Sequence, residues 1–363
     1  MRASLLSLIL LLMGNTLLAA EDTLPRYQPR MGQERPVIAV IAQNRMTELV
    51  DYVVPLGVLR RSGVADVWAL STEPGPVRLM PALTLQPQAT PEAFSRRYPQ
   101  GADYLIVPAV HDSEDAALLA FIQDQAAKGA TVVGICDGVL VLAHAGLLQG
   151  RRATGHWYSR GQRQDDFPDV QWQENRRYVV DARVMSTSGV TAALPASLAL
   201  VEAIAGTARA AALAEELGVK DWSPQHDSRR FALGVDGYLT AASNYLAVWR
   251  HERFAAPLQP GFDEVSLALR VDAWARTFRT EVMAEAEQPV TSASGLMFLP
   301  DDTQGIPRLP LAASNATQGL EQALDAIACR YGQSTRRLVA DQLEYSASER
   351  STAPARRNCM VNP

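Results

Sequence analysis

The chain is 363 residues long, 47% hydrophobic and 20% charged, a composition that suits two globular domains with an ample core and excludes a disordered or fibrous chain. Its formal net charge of −5 argues against the basic footprint of a nucleic-acid binder. Three cysteines are too few for a disulfide scaffold.

In chain order, residues 1–20 read as a cleavable leader. Arg2 gives a positive start, Leu5 to Met13 an apolar stretch, and Leu18-Ala19-Ala20 a small-residue cleavage site. Gly14-Asn15-Thr16 breaks the run short of the ~18 apolar residues a membrane span needs. No cysteine stands there to carry a lipid, so no stable membrane anchor is expected, and the expected location is periplasmic or secreted.

From Pro36 onward strand and helix alternate. Val37 to Ala42 is a predicted strand, Thr47 to Ser62 a helix with Pro55 inside it, and Val64 to Leu70 a strand. Leu83 to Leu85 is a short extended piece and Tyr104 to Pro108 another strand. Ser113 to Lys128 reads as a helix that Ser113 can cap, with Glu114 and Asp115 in its first turn and Gly129 at its end. Ala130 to Ile135 is apolar and β-branched, as in a buried parallel strand. Gly138 then opens a helix whose Val139, Leu140, Leu142 and Ala143 suit a core and which ends by Gly146. Arg177 to Ser186 supplies the last strands and Leu194 to Ala205 a long helix. Such alternation means an α/β, doubly wound, flavodoxin-like parallel sheet with helices on both faces.

Cys136 falls at the junction of the buried strand and its helix, the position of a nucleophile elbow at the carboxyl end of a sheet. There the free N–H groups and the positive dipole end of the helix favour a thiolate. The alternative is a buried, inert cysteine that behaves as a small hydrophobe.

The surrounding segment resembles the ThiJ/PfpI superfamily, of class I glutamine amidotransferase-like fold. Ile135-Cys136-Asp137-Gly138 is similar to its (V/I)-C-x-G, Ala145 to Leu148 to its A-G-L-L, and Arg151 to Trp157 to its (R/K)-x-A-T-T-H-W. Glu48, Asp51 and Pro55 resemble its E-L-x-D-x-x-x-P segment, and Val184 to Ala192 its T-S-x-G-x-x-A turn. In these motifs the chain is most similar to isonitrile-hydratase-like proteins and to the sensor domains of AraC-type regulators. The resemblance covers roughly Pro36 to Gly218, so a domain at residues 36–220 is expected.

That resemblance implies a site. Asp51, just ahead of Pro55, is the carboxyl that would meet the cysteine and share a proton with it, with Glu48 on the same helical face as competitor. His156 is implied as the third member, acting as general base or orienting the thiolate, against the alternative of a structural histidine. Asp137 departs from the histidine, threonine or alanine that many members carry. Protease-type relatives use that histidine as base, so a peptidase is not expected, and the extra carboxylate raises the thiol pKa. Pro108-Ala109-Val110-His111 replaces the family's P-G-G. The backbone N–H groups of Ala109, Val110 and Asp137 are then the oxyanion donors, and His111 is placed to enter the pocket. His144, His226 and His251 lack metal-ligand spacing, and neither a P-loop nor a dinucleotide glycine fingerprint is present, so no metal and no cofactor is expected.

The expected function is therefore an exported protein with a cysteine-centred small-molecule site. The resemblance implies hydratase- or hydrolase-type chemistry on a small electrophile, such as isonitrile hydration or glyoxal conversion. The alternatives are a non-catalytic ligand-binding or sensor module, or a redox-responsive protein oxidised at Cys136. The expected partner is a small molecule and not a nucleic acid, since no helix-turn-helix is recognisable after Tyr345.

Residues 230–345 echo the first domain. Phe254 to Val265 can be laid on Ile38 to Leu49, and Pro289-Val290 with Gly295 to Pro300 on Pro76-Val77 with Ala82 to Pro87. Ala323 to Ala328 echoes Ala199 to Ala205. The space between these echoes is too short for a second elbow. A shortened, degenerate second α/β copy is expected, followed by a tail at 346–363, with generic apolar patterning as the alternative. Family members are often dimers, so the expected assembly is a homodimer or a pseudo-dimer within one chain. Cys329 and Cys359 either pair in an oxidising compartment or remain two thiols. Alkylation of the native protein is expected to label Cys136 first.

Overall fold

The computed structural model describes residues 22–30, 33–309 and 315–346. The expected leader, and the tail past Ser346 with Cys359, lie outside the described residues.

The first half begins β1 (Val37–Ala42), β2 (Arg45–Glu48), α1 (Leu49–Ser62), β3 (Asp66–Ser71), β4 (Val77–Met80), β5 (Thr84–Gln86) and α2 (Pro91–Arg97). It continues β6 (Tyr104–Val107), α3 (Ala116–Ala127), β7 (Thr131–Gly134), α4 (Gly138–His144), β8 (Arg152–Ala153), α5 (Arg160–Asp166) and β9 (Gln171–Trp172). It closes with β10 (Tyr178–Asp181), β11 (Val184–Thr187), α6 (Ala193–Ala205) and α7 (Thr207–Leu217). Six strands form the central sheet in the order β10-β11-β7-β6-β1-β3. All neighbours are parallel except β10 and β11, so the sheet is mixed, with one antiparallel edge.

Alternation along β1 explains the layers. Ile38, Val40 and Ala42 join α1 and α6 in one apolar cluster, while Val37, Ala39 and Ile41 join α3 and α4 in the other. A strand buried on both faces reads as an unbroken apolar run, which is why it was visible in the sequence. Two local expectations are corrected. Asp115, not Ser113, caps α3, because its carboxylate accepts the Leu118 N–H at 2.7 Å. The helix expected from Thr47 starts at Leu49, because Arg45–Glu48 pairs with β4 as a strand.

The second half opens with α8 (Val235–Leu246). It runs β12 (Glu252–Pro257), α9 (Glu264–Ala275), β13 (Thr280–Glu285), β14 (Val290–Thr291), β15 (Met297–Leu299), α10 (Ala316–Tyr331) and α11 (Gln333–Leu343). β12 and β13 pair in parallel as β1 and β3 do, and α10 and α11 join at Gly332 as α6 and α7 join at Gly206. Both glycines take a positive φ, 92° and 86°, that a side chain would strain.

Contacts between the halves are reciprocal. Arg61 pairs with Asp263 at 2.6 Å and Arg276 with Glu48 at 2.6 Å. Thr191 donates to the Glu344 carbonyl and Thr317 to the Leu217 carbonyl. β5 and β15 pair antiparallel with Leu85 opposite Phe298, its own counterpart. One apolar cluster runs from Ile38 to Leu343, so the halves share a core. The correspondence aligns β1 with β12 from their first residues, one position away from the Phe254-on-Ile38 alignment. Thr191–Thr317 and Gly206–Gly332 place Leu324 opposite Leu198, so the Ala323 echo is shifted as well.

Candidate active site

The elbow forms where β7 ends. Ile135 donates its N–H to the Val107 carbonyl, and the Cys136 N–H is held by Thr187 Oγ1 at 2.9 Å. Cys136 then takes φ +54°, a left-handed conformation that non-glycine residues rarely adopt and that a nucleophile elbow imposes. The turn is tight enough to require glycine two residues on. A Cβ at Gly138 would stand 2.2 Å from the Val107 oxygen and 2.9 Å from the Pro108 carbonyl carbon.

An acidic cluster neighbours Cys136. Asp51 is fully buried; its Oδ2 accepts the Ala109 N–H at 3.1 Å, and its Oδ1 has no partner among the described residues. Glu48 caps α1 by accepting the Asp51 N–H at 2.6 Å and takes Arg276 on its other oxygen. Arg276 also binds Asp272 at 2.8 Å. Burial, then the charge of Asp272, pushes Glu48 up to about 7. Burial and the neighbouring Glu48 hold Asp51 well above the usual carboxylate range.

The same surroundings reverse one expectation. Burial first, then Asp51, Asp137 and Glu48, raise the Cys136 thiol well above its ordinary value, and Arg276 only partly opposes them. The residue is 5% exposed and α4 has only seven residues, so the helix end does not deliver a thiolate here. Iodoacetamide should therefore label native Cys136 slowly, with a rate still climbing above pH 9. A rate that levels off below pH 8 would contradict this account of the site.

The structure brings the remaining residues together unequally. Donor atoms of Cys136, Asp137 and His156 lie within 4.8 Å of one another. His156, however, is fully engaged. Its Nδ1 accepts the Tyr158 N–H at 3.2 Å and its Nε2 faces the Gln342 carbonyl at 3.0 Å. That carbonyl requires the proton on Nε2, so no lone pair is left to take the thiol proton, and His156 positions rather than acts as base. Asp137 Oδ1 accepts the Ser159 hydroxyl at 2.5 Å.

Of the expected oxyanion donors, Ala109 is spent on Asp51, and Val110 sits opposite Thr47 in an isolated antiparallel bridge. His111 is exposed; the loop turns Ala109 inward instead. The second half contributes groups that the motifs did not reveal. Besides Arg276 and Gln342, Glu344 accepts the Trp157 N–H at 3.1 Å and binds His226 at 2.9 Å. Burial alone would raise Glu344, but hydrogen bonding to His226 brings it down to about 2.

This arrangement defines a class: a buried elbow cysteine with a buried carboxyl as its neighbour, at the carboxyl ends of a doubly wound sheet. Residues 37–203 are a DJ-1/PfpI family domain. Over 94 residues, 26% of this chain and 40% of the relative, the sequence is 38% identical to isonitrile hydratase of Pseudomonas putida. It is 29% identical over 192 residues to the HTH-type transcriptional regulator CdhR of Pseudomonas aeruginosa, covering 51% of this chain and 55% of the regulator. The chain thus spans about half the length of these curated relatives. The solved structure of Drosophila melanogaster DJ-1beta is matched at TM-score 0.47 and 19% identity, over 52% of this chain and all of that one. A THiJ/PfpI family protein from Pseudomonas syringae is matched at TM-score 0.46 and 24% identity, over 54% of this chain and 84% of that one. With transcriptional regulators among the relatives, kinship lends no support to the expected absence of a nucleic-acid partner.

Proposed function

We propose that this protein binds a small electrophile over Cys136 and adds water to it. The observation that carries the reading is the buried elbow cysteine, at φ +54°, with the fully buried Asp51 carboxyl as its neighbour. An isonitrile is a substrate suited to that pair, and the reading takes support from the similarity to isonitrile hydratase. The thiol sulfur bonds to the terminal carbon while the proton count of the Asp51–Cys136 pair supplies the new C–H, giving a thioimidate. Water then adds to that carbon and the thiol leaves with its proton restored, releasing an N-formyl amine. General-acid help of this kind contributes about 10²–10⁴-fold.

Purified protein should convert cyclohexyl isocyanide to the formamide, with Cys136→Ala inactive and Asp51→Asn at least ~100-fold slower. No turnover by the wild type, or equal turnover by Cys136→Ala, removes the reading. A second reading, ligand binding without turnover, is favoured by the engaged His156 and the spent Ala109 amide.

In this proposal the second half is a shortened copy that occupies the place of a partner subunit. Its support is the reciprocal pairing of Arg61–Asp263 with Arg276–Glu48. At the register those pairs set, Ser266 stands where the first half has Asp51, so the second half lacks the acid. Light scattering should return the mass of one chain at micromolar concentration; a stable dimer would contradict the substitution. Export through the leader completes the proposal, supported by the positive start, apolar stretch and small-residue site of residues 1–20. The mature N-terminus in a periplasmic or culture fraction tests it.

A further inference from the structure

The amphipathic pattern of α8 is inverted. Val235, Tyr238, Leu239, Tyr245 and Leu246 recur at the three- and four-residue spacing of one helix face, and that face points to solvent. Val248 and Trp249 continue it past the helix end, and each of these side chains is between 58% and 78% exposed. The polar Asn244 points inward instead. Its amide donates to the Thr277 carbonyl at 3.0 Å and to the Thr335 hydroxyl at 3.1 Å, and its carbonyl meets His251 Nε2 at 3.0 Å. The helix is thus fixed to α11 and to the turn after α9 by its polar side. Single exposed apolar residues are ordinary, whereas a contiguous apolar face marks an interaction surface.

Composition and charge select what covers it. Tyr238, Tyr245 and Trp249 carry polar tips on apolar rings, the side chains enriched where membrane meets water. The segment is also cationic, within a chain of net charge −5. Residues 227–253 hold Arg229, Arg230, Arg250 and Arg253 against Asp227, Asp236 and Glu252. From outside the segment, Arg330 binds Glu252 and Glu281 binds Arg253; these two additions cancel and leave the excess in place. Apolar and aromatic side chains flanked by arginines match a bilayer surface, with the rings at the headgroup level and the guanidinium groups on phosphate.

We propose that the outer face of α8, with Val248 and Trp249, docks on a bilayer that carries anionic headgroups. Twelve residues are too few to span a membrane, so the helix lies in the interface plane. This docking is independent of the chemistry at Cys136.

The test uses the full chain with vesicles of phosphatidylethanolamine and phosphatidylglycerol, and with vesicles of phosphatidylcholine alone. Sedimentation with the anionic vesicles is expected, falling as salt rises, with binding to phosphatidylcholine at least ~10-fold weaker. Residues 1–20 are common to every variant, so differences between variants report on α8. Leu246→Ser combined with Trp249→Ser should weaken binding at least ~10-fold and leave the melting temperature unchanged, since both side chains are exposed. Asp236→Lys should tighten binding at least ~5-fold, again at an unchanged melting temperature. Brominated lipid should quench the fluorescence of the wild type more than that of Trp249→Phe. Absence of binding to either vesicle, or equal binding by the wild type and the double variant, would overturn the proposal. So would a wild-type dimer in light scattering that the double variant dissolves, because a second copy of the chain would then cover the face.

Discussion

Arg276→Met is expected to lose about 3–5 kcal/mol of stability at pH 8, the cost of leaving buried carboxylates without their cation. Glu48 and Asp272 both lean on this guanidinium, and both are buried. The sign of the pH dependence follows from Glu48. Its folded-state pKa is raised to about 7, against about 4.3 for a free glutamate, so the folded form binds the extra proton. Its stabilising contribution is fully present below about 4.3 and is lost as pH rises through 7. Removing Arg276 removes the charge that lowers Glu48, so this loss should extend to higher pH and the deficit should shrink at pH 5. Urea unfolding at the two pH values checks it, with Arg276→Lys expected to recover part of the difference. An equal deficit at both would mean that only packing was lost.

The largest effect on the site itself is expected at Gly138. Alanine there places a Cβ against the backbone of Val107 and Pro108, which cannot rotate away as a side chain can. A loss of about 3 kcal/mol is expected, the upper end for overpacking, with the elbow displaced and Cys136 chemistry abolished. Gly161 supplies the contrast, because a Cβ there meets nothing within 4 Å and its helix tolerates alanine. Thermal unfolding of Gly138→Ala beside Gly161→Ala checks the pair. A Gly138→Ala protein as stable as the wild type would contradict the geometry of the elbow.

The sequence carried much of the fold because its signals are local. The apolar run of β1, the β-branched strand before Cys136 and the glycine after it each need only a few neighbouring residues to be read. β2 was missed because Arg45–Glu48 is short and half exposed, with no apolar run to mark it. The site was legible on one side only. Cys136, Asp51, Glu48 and His156 fall in motif-bearing segments, but Arg276, Gln342 and Glu344 reach the site from more than a hundred residues away and lie in no motif. Thr187 was within reach, since the T-S-x-G turn was recognised without assigning its hydroxyl to the elbow. Electrostatics misled for a related reason. A helix start beside a cysteine suggests a thiolate, whereas three carboxyl groups and complete burial decide the opposite, and only the assembled structure counts them.

The central claim is that Asp51 holds a proton next to a neutral Cys136 thiol at physiological pH, and infrared difference spectroscopy tests it most directly. Subtracting Asp51→Asn from wild type at pH 7 should leave the C=O stretch of a protonated carboxylic acid. Subtracting Cys136→Ala should leave an S–H stretch. A spectrum showing only ionised carboxylate at Asp51, with no S–H band from Cys136, would contradict the account.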